Sequence, residues 1–150
     1  MKKIFIFLVL LLISSCIFAQ TANITNGGTI TIIDVIDVIP PLNFTRLEEN
    51  MKLVAFEILI DNTNGNTDIN FTWGGIEVRD SQGFSYIGSA SHFDLKKPAL
   101  PARIYVESGG LLRGWFTFAI HQDSPLSGLR IRINSSFYGF QSDWVRVVIE

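Results

Sequence analysis

Residues 52–61 read KLVAFEILID. Val54, Phe56, Ile58 and Ile60 fall on one side of this run, and Ala55, Glu57, Leu59 and Asp61 on the other. A period of two is that of a pleated strand with one face on a core. The same alternation recurs along the chain. Ile69, Phe71 and Trp73 alternate, as do Ile76 and Val78. In 111–121, LLRGWFTFAIH, Leu112, Phe116, Phe118 and Ile120 share a side with Gly114, while Arg113, Trp115, Thr117, Ala119 and His121 share the other. Leu129, Ile131 and Ile133 alternate with Arg130, Arg132 and Asn134. Beyond residue 19 no apolar set keeps the i, i+3, i+4, i+7 spacing of a helix. Short strands between turn signals predict an all-β chain, an antiparallel β-sandwich of about seven strands.

The punctuation fits. The β-branched run 29–39 ends at Pro40-Pro41, because proline cannot donate to a ladder. Asn, Thr, Gly and Asp crowd 62–68, a turn composition. Gly74-Gly75 reads as a bulge or bend, and residues 79–83, RDSQG, as a hairpin turn from which 84–87 pairs back. The stretch 88–107 is the least regular and is read as a loop crossing between sheets, with room for one helical turn. The last strand is expected at 144–149.

The first nineteen residues are of another kind. Met1-Lys2-Lys3 is a basic start, 4–13 an unbroken apolar run, and small and polar residues follow. This is the layout of a secretory signal peptide, and its apolar stretch is shorter than the ~20 residues a membrane span requires. Cleavage after Ala19 leaves Gln20 first. The alternative is lipidation at Cys16, because Ile13-Ser14-Ser15-Cys16 resembles a lipobox. The expected location is extracytoplasmic: periplasmic or secreted, alternatively an envelope lipoprotein. The expected division is a signal peptide at 1–19, a short N-terminal segment at 20–27 and a sandwich domain at 28–150.

Composition narrows the function classes. At 150 residues, 47% hydrophobic and 17% charged, the chain suits one folded domain and not a disordered one. Removing Lys2 and Lys3 takes twelve basic residues to ten against fourteen acidic, a formal charge of −4. That excludes a polybasic nucleic-acid binder. A single Cys excludes a disulfide scaffold and a multi-Cys zinc site.

Three pieces occur in order: KLVAFEILIDNTNGN, IEVRDSQGFSY and ESGGLLRGWFTFAIHQDSPLSGLRIRI. Together they resemble a bacterial extracytoplasmic immunoglobulin-like domain family, structurally allied to a secreted mycobacterial immunoprotective antigen. The places that carry the likeness are Asp61-Asn62, the turn from Asp80 to Gly83, and Gly110 followed by Gly114, Trp115, Phe116 and Phe118. It covers roughly 29–133; from Asn134 onward no family feature is present. The resemblance implies an exported immunoglobulin-like sandwich and supplies no catalytic residues, and a fold does not fix a function.

Candidate chemistry is sparse. The loop GSASH at 88–92 holds Ser next to His92 but lacks the G-x-S-x-G elbow of a hydrolase. His121 stands near Asp123 at a strand end. The loop 61–68, DNTNGNTD, fails the calcium-loop register, since Gly65 at its sixth place puts Ile60 at the first. Asp61 and Asp68 could still hold Ca²⁺ weakly; a plain turn is the alternative. Asp34 and Asp37 lie an odd number apart, on opposite faces of a strand. None of the glycine pairs precedes a Lys-Ser/Thr, so none is a phosphate loop. No catalytic, cofactor or metal residues are therefore assigned, and no cofactor is expected.

Aromatics are the remaining candidates. Trp115 lies in the register read as solvent-facing. Phe137, Tyr138 and Phe140 sit in a turn, where they form a contact site or tuck under the sandwich edge. The expected role is a non-catalytic exported domain acting by contact with a protein or cell-envelope component. The alternative is a small-ligand or weak Ca²⁺ carrier. No nucleic-acid partner is expected, and membrane contact only through a lipid on Cys16.

Overall fold

A computed structural model describes residues 20–41, 47–87 and 95–148. The signal-peptide reading of 1–19, including Cys16 and Ala19, and the 88–92 loop with His92 lie outside the described residues. The rest is all-β. Its strands are β1 (Thr21–Asn23), β2 (Thr29–Val38), β3 (Met51–Asp61), β4 (Ile69–Thr72), β5 (Ile76–Arg79), β6 (Ser85–Ile87), β7 (Arg103–Val106), β8 (Leu111–His121), β9 (Arg130–Ser135), β10 (Phe140–Gln141) and β11 (Val145–Arg146).

One antiparallel sheet runs β1-β2-β3-β8. A second runs β10-β9-β5-β6, with β11 also on β9, and β4-β7 form a ribbon. The first sheet is built around β3. All eleven of its residues have partners on β8, from Met51 opposite His121 to Asp61 opposite Leu111. Its other edge pairs with β2, where one bulge between Ile32 and Asp34 shifts the register. Strict alternation in β3 and β8 is what keeps one pairing register, because a one-residue slip would turn the apolar set outward.

The inward residues of both sheets meet in one core. Val54, Phe56, Ile58, Phe116, Phe118 and Ile120 come from the first sheet. Ile76, Val78, Ile131, Ile133 and Val145 come from the second, and Ile69, Phe71, Ile104 and Val106 from the ribbon. Phe56 and Phe116 are direct cross-strand partners, with ring centroids 5.5 Å apart and planes 9° from parallel. Phe118 meets Phe116 edge-on at 5.1 Å. Each such ring contributes ~1.5–3 kcal/mol through burial, and each aromatic pair about 0.5–1.5 kcal/mol more.

Several strand readings change. Residues 20–27, placed ahead of the domain, form its edge: β1 pairs with β2, and Ile24 bridges to Ser142. β7 lies inside the stretch read as a crossing loop; its alternation is only Ile104 and Val106, too short to stand out. The count of about seven becomes eleven segments among the described residues, because β1, β7 and β10 are added, and the last strand, expected at 144–149, is the two-residue β11. Gly74-Gly75, read as a bulge or bend, closes a 3-10 turn, Trp73–Gly75.

The turn at 62–68 is organised by one buried amide. Asn62 Nδ2 donates to the carbonyls of Thr67 (3.0 Å), Val106 (3.0 Å) and Glu107 (2.9 Å), and its Oδ1 accepts from Asn26 Nδ2 (2.9 Å). Three chain segments are thereby tied at one end of the sandwich. Gly65 is required there: a Cβ on it would stand 1.7 Å from Asn62 Oδ1. Asn62→Ala leaves three carbonyls without this donor. It should lower stability by about 3 kcal/mol, read as a lower urea midpoint with an unchanged slope.

Candidate functional site

Trp115 is not on an open face. It is 7% exposed. The free edge of β8 is taken by the segment through Pro98–Leu100: Trp115 N–H donates to the Pro98 carbonyl and Leu100 N–H to the Trp115 carbonyl, both at 2.8 Å. The Lys96 ammonium lies 5.3 Å from the indole centroid. Gly114 permits this approach, since a Cβ there would meet Leu100 Cδ2 at 2.9 Å and the Leu100 backbone nitrogen at 3.2 Å. Leu53, Ala55 and Thr117 are buried in the same register. The middle of the first sheet is therefore covered on both faces, and period-two reasoning fails where a second layer lies over the strand.

The other aromatics separate by burial. Phe140 packs against the core. Phe137 is 91% exposed and Tyr138 42%. Both stand on the 3-10 turn Ser136–Tyr138 that leaves β9, their rings edge to face at 5.0 Å. Gly139, at φ +79°, reverses the chain, and its N–H donates to the Ser136 carbonyl at 3.1 Å. From beneath, Thr25 Oγ1 donates to the Gly139 carbonyl (3.0 Å) and Thr25 N–H to the Gln141 carbonyl (2.9 Å). The pair is thus an exposed knob on a fixed base. A shallow depression of about 280 Å³ lies on one side, lined by Thr25, Asn66, Tyr138 and Phe140. Another of about 330 Å³ lies on the other, lined by Thr72, Gly74, Ser136 and Phe137.

The acidic loop residues have partners of their own. Asp61 accepts from the Thr63 hydroxyl (2.6 Å) and N–H (2.8 Å), which hold its carboxyl below the usual range. Asp68 accepts from Ser108 N–H and the Tyr105 hydroxyl, both at 2.9 Å, and is lowered in the same way. Among the described residues no three His, Cys, Asp or Glu side chains gather as metal ligands would. His121 Nδ1 accepts weakly from Asp123 N–H at 3.4 Å, and the nearby Ser124 hydroxyl is turned to Asp80 Oδ2 at 2.9 Å.

Asp80 is the buried carboxylate that sequence reading treated only as a turn residue. Oδ1 accepts from the N–H groups of Gln82 (3.0 Å) and Phe84 (2.9 Å); Oδ2 accepts from Tyr86 Oη (3.0 Å) and Ser124 Oγ. Burial alone would raise its carboxyl; the four donors outweigh burial and lower it. It closes the β5-β6 hairpin and pins it to the turn after β8.

A second unforeseen cluster lies on the outer face of the second sheet. Glu77 Oε2 accepts from Arg132 Nε (2.8 Å) and Asn134 Nδ2 (3.2 Å), and Arg79 lies 3.4 Å from Oε1. Arg79 and Arg132 stack on Trp144 at 4.6 and 4.4 Å from its centroid. Burial acts to raise the Glu77 carboxyl, and hydrogen bonds from Arg132, Ser85 and Asn134 lower it further than burial raises it. The outward alternation of Arg130, Arg132 and Asn134 was legible; that Glu77 and Trp144 meet it required the β5-β9 register.

No family model and no curated protein matches the chain. Two solved structures resemble it. One is ycdA from Bacillus subtilis, described as a candidate lipoprotein: 10% identity over 86% of this chain, TM-score 0.56. This chain spans 39% of the length of that one. The other is the secreted protein MPT63 from Mycobacterium tuberculosis: 9% identity, 79% of this chain and 84% of that chain, TM-score 0.53. At such identities the likeness is one of fold. It shows a fold shared with these two proteins and carries no molecular role across.

The Asp80 geometry fixes a pH dependence. A carboxyl lowered in the folded state adds stability above its unfolded value of about 3.9 and loses it as pH falls through the lower folded value. Asp80→Asn should cost roughly 1–3 kcal/mol at neutral pH. Its deficit should shrink in urea melts below about pH 4, where the parent carboxylate is itself protonated.

Proposed function

We propose that this chain is an exported, non-catalytic β-sandwich that works by contact with a protein or cell-envelope component, and that Phe137 and Tyr138 make the contact. The observation that carries this reading is a large aromatic ring left 91% exposed on a turn that the fold holds from below. Rigid aromatics that stand out of a surface suit the buried centre of an interface, because they give much apolar area for little lost side-chain freedom. The depressions on both sides of the knob suit a partner that encloses it.

Export is supported by the leader-like 1–19 and by the fold likeness to a secreted protein and a candidate lipoprotein. Gln20 is already part of the fold: its backbone carbonyl accepts from Ile32 N–H (3.2 Å) and its side-chain Oε1 from Arg146 N–H (3.0 Å). Cleavage after Ala19 would leave the domain whole and periplasmic or secreted. Acylation of Cys16 would leave it on a short envelope tether. The Ca²⁺ form of the carrier alternative has less behind it, because Asp61 Oδ1 and both Asp68 oxygens already accept from Thr63, Ser108 and Tyr105.

Phe137→Ser with Tyr138→Ser tests the reading. Both side chains are exposed, so thermal stability should move by no more than about 0.5 kcal/mol per site. Cross-linked capture of a partner from envelope extracts should fall at least about tenfold, the scale of one interface hot spot. Undiminished capture by the double variant would end the assignment.

A further inference from the structure

The strand register aligns three arginines. On the outer face of the second sheet Arg79 is the direct partner of Ser85 on β6 and of Arg130 on β9, and Arg130 is the direct partner of Arg146 on β11. Ser85, Arg79, Arg130 and Arg146 therefore form one cross-strand row. Like charges directly opposite on antiparallel strands destabilise the pair. Arg79 is compensated: its Nε donates to Ser85 Oγ (3.0 Å), Glu77 lies 3.4 Å from its outer nitrogen, and its guanidinium rests on Trp144. Arg132, in the next row, is compensated by Glu77 at 2.7 Å. Among the described residues the ion pairs at this face are those of Glu77 with Arg79 and Arg132; none reaches Arg130 or Arg146. Those two line a depression of about 200 Å³ with Ser81 and Gly128.

Two guanidiniums without an ion-pair partner among the described residues, a hydroxyl and a glycine floor are suited to an anion. A carboxylate presents two oxygens in one plane and a single negative charge. A tetrahedral oxyanion presents enough oxygens for two forks and a hydroxyl together. Gly128 keeps the floor open: a Cβ on it would stand 3.5 Å from Ser81 Cβ and 3.9 Å from the Arg146 guanidinium. We propose that the depression between Arg130 and Arg146 binds a phosphate-class oxyanion, with Ser81 at its rim, and that the bound charge relieves the repulsion along the row. The site is independent of the aromatic knob. Free phosphate and the phosphate head of an envelope lipid share this chemistry.

The test uses the purified protein, Arg130→Gln and Arg146→Gln. Melting temperature is followed against inorganic phosphate at constant ionic strength, and co-sedimentation against phosphatidylglycerol and phosphatidylcholine vesicles. Phosphate should raise the parent's melting temperature saturably, and each substitution should weaken that response about tenfold, the scale of one charge-assisted hydrogen bond. Without added anion, Arg130→Gln should melt roughly 1–3 °C higher than the parent, because one like-charge neighbour is gone. Arginine-dependent sedimentation with phosphatidylglycerol but no saturable phosphate response assigns the anion to a lipid head, and the reverse assigns it to free phosphate. Absence of both responses, or responses of parental strength in both variants, overturns the proposal.

Discussion

The structure depends on β3 being paired on both edges from Leu53 to Asp61. β8 runs along all of Met51–Asp61 and β2 along Leu53–Asp61, so between Leu53 and Asp61 the backbone groups find partners within the sheet, and the inward side chains there are free to be apolar. Val54, Phe56, Ile58 and Ile60 are completely buried as a result. Everything else is arranged around that strand: the phenylalanine cluster sits on it and on β8, the second sheet closes over it, and the β4-β7 ribbon fills the side.

Beyond the core, polar side chains do the joining that cross-links do in other small domains. Asn62 ties three segments at one end, and Asp80 ties a hairpin to the turn after β8. Each is fully buried and each bonds at both of its side-chain heteroatoms. A buried polar group satisfied in this way fixes one arrangement, because any other leaves donors or acceptors stranded. It leaves the outer surface free for contact, and there the chain places an aromatic knob at 137–138 and an arginine row on the second sheet.

Much of the fold was legible from periodicity, and the failures have a common cause. β2, β3, β8 and β9 are long or strictly alternating, and their positions follow from residue spacing. β1 and β10 are too short to alternate, and β7 offers only Ile104 and Val106; the last strand was foreseen at 144–149, and β11 occupies two residues of it. Trp115 was read as outward because its neighbours in register, Arg113 and His121, are polar; the 98–100 segment that covers the edge of β8 has no local signature. The candidate site was less legible. Phe137 and Tyr138 were singled out for their composition, and only their burial separated them from Phe140. The Glu77–Arg132–Trp144 cluster and the row through Arg130 consist of cross-strand neighbours far apart in the chain, and register is a property of the whole sheet rather than of any one strand.

If β3 is the element on which the sandwich is assembled, its amides should open only when the entire domain unfolds. Native-state hydrogen exchange reads this directly. The account predicts that amides between Leu53 and Ile60 exchange slowest in the chain, with an opening free energy equal to that of global unfolding by urea. Faster exchange there than in β5 and β9, or an opening free energy clearly below the global value, would contradict it.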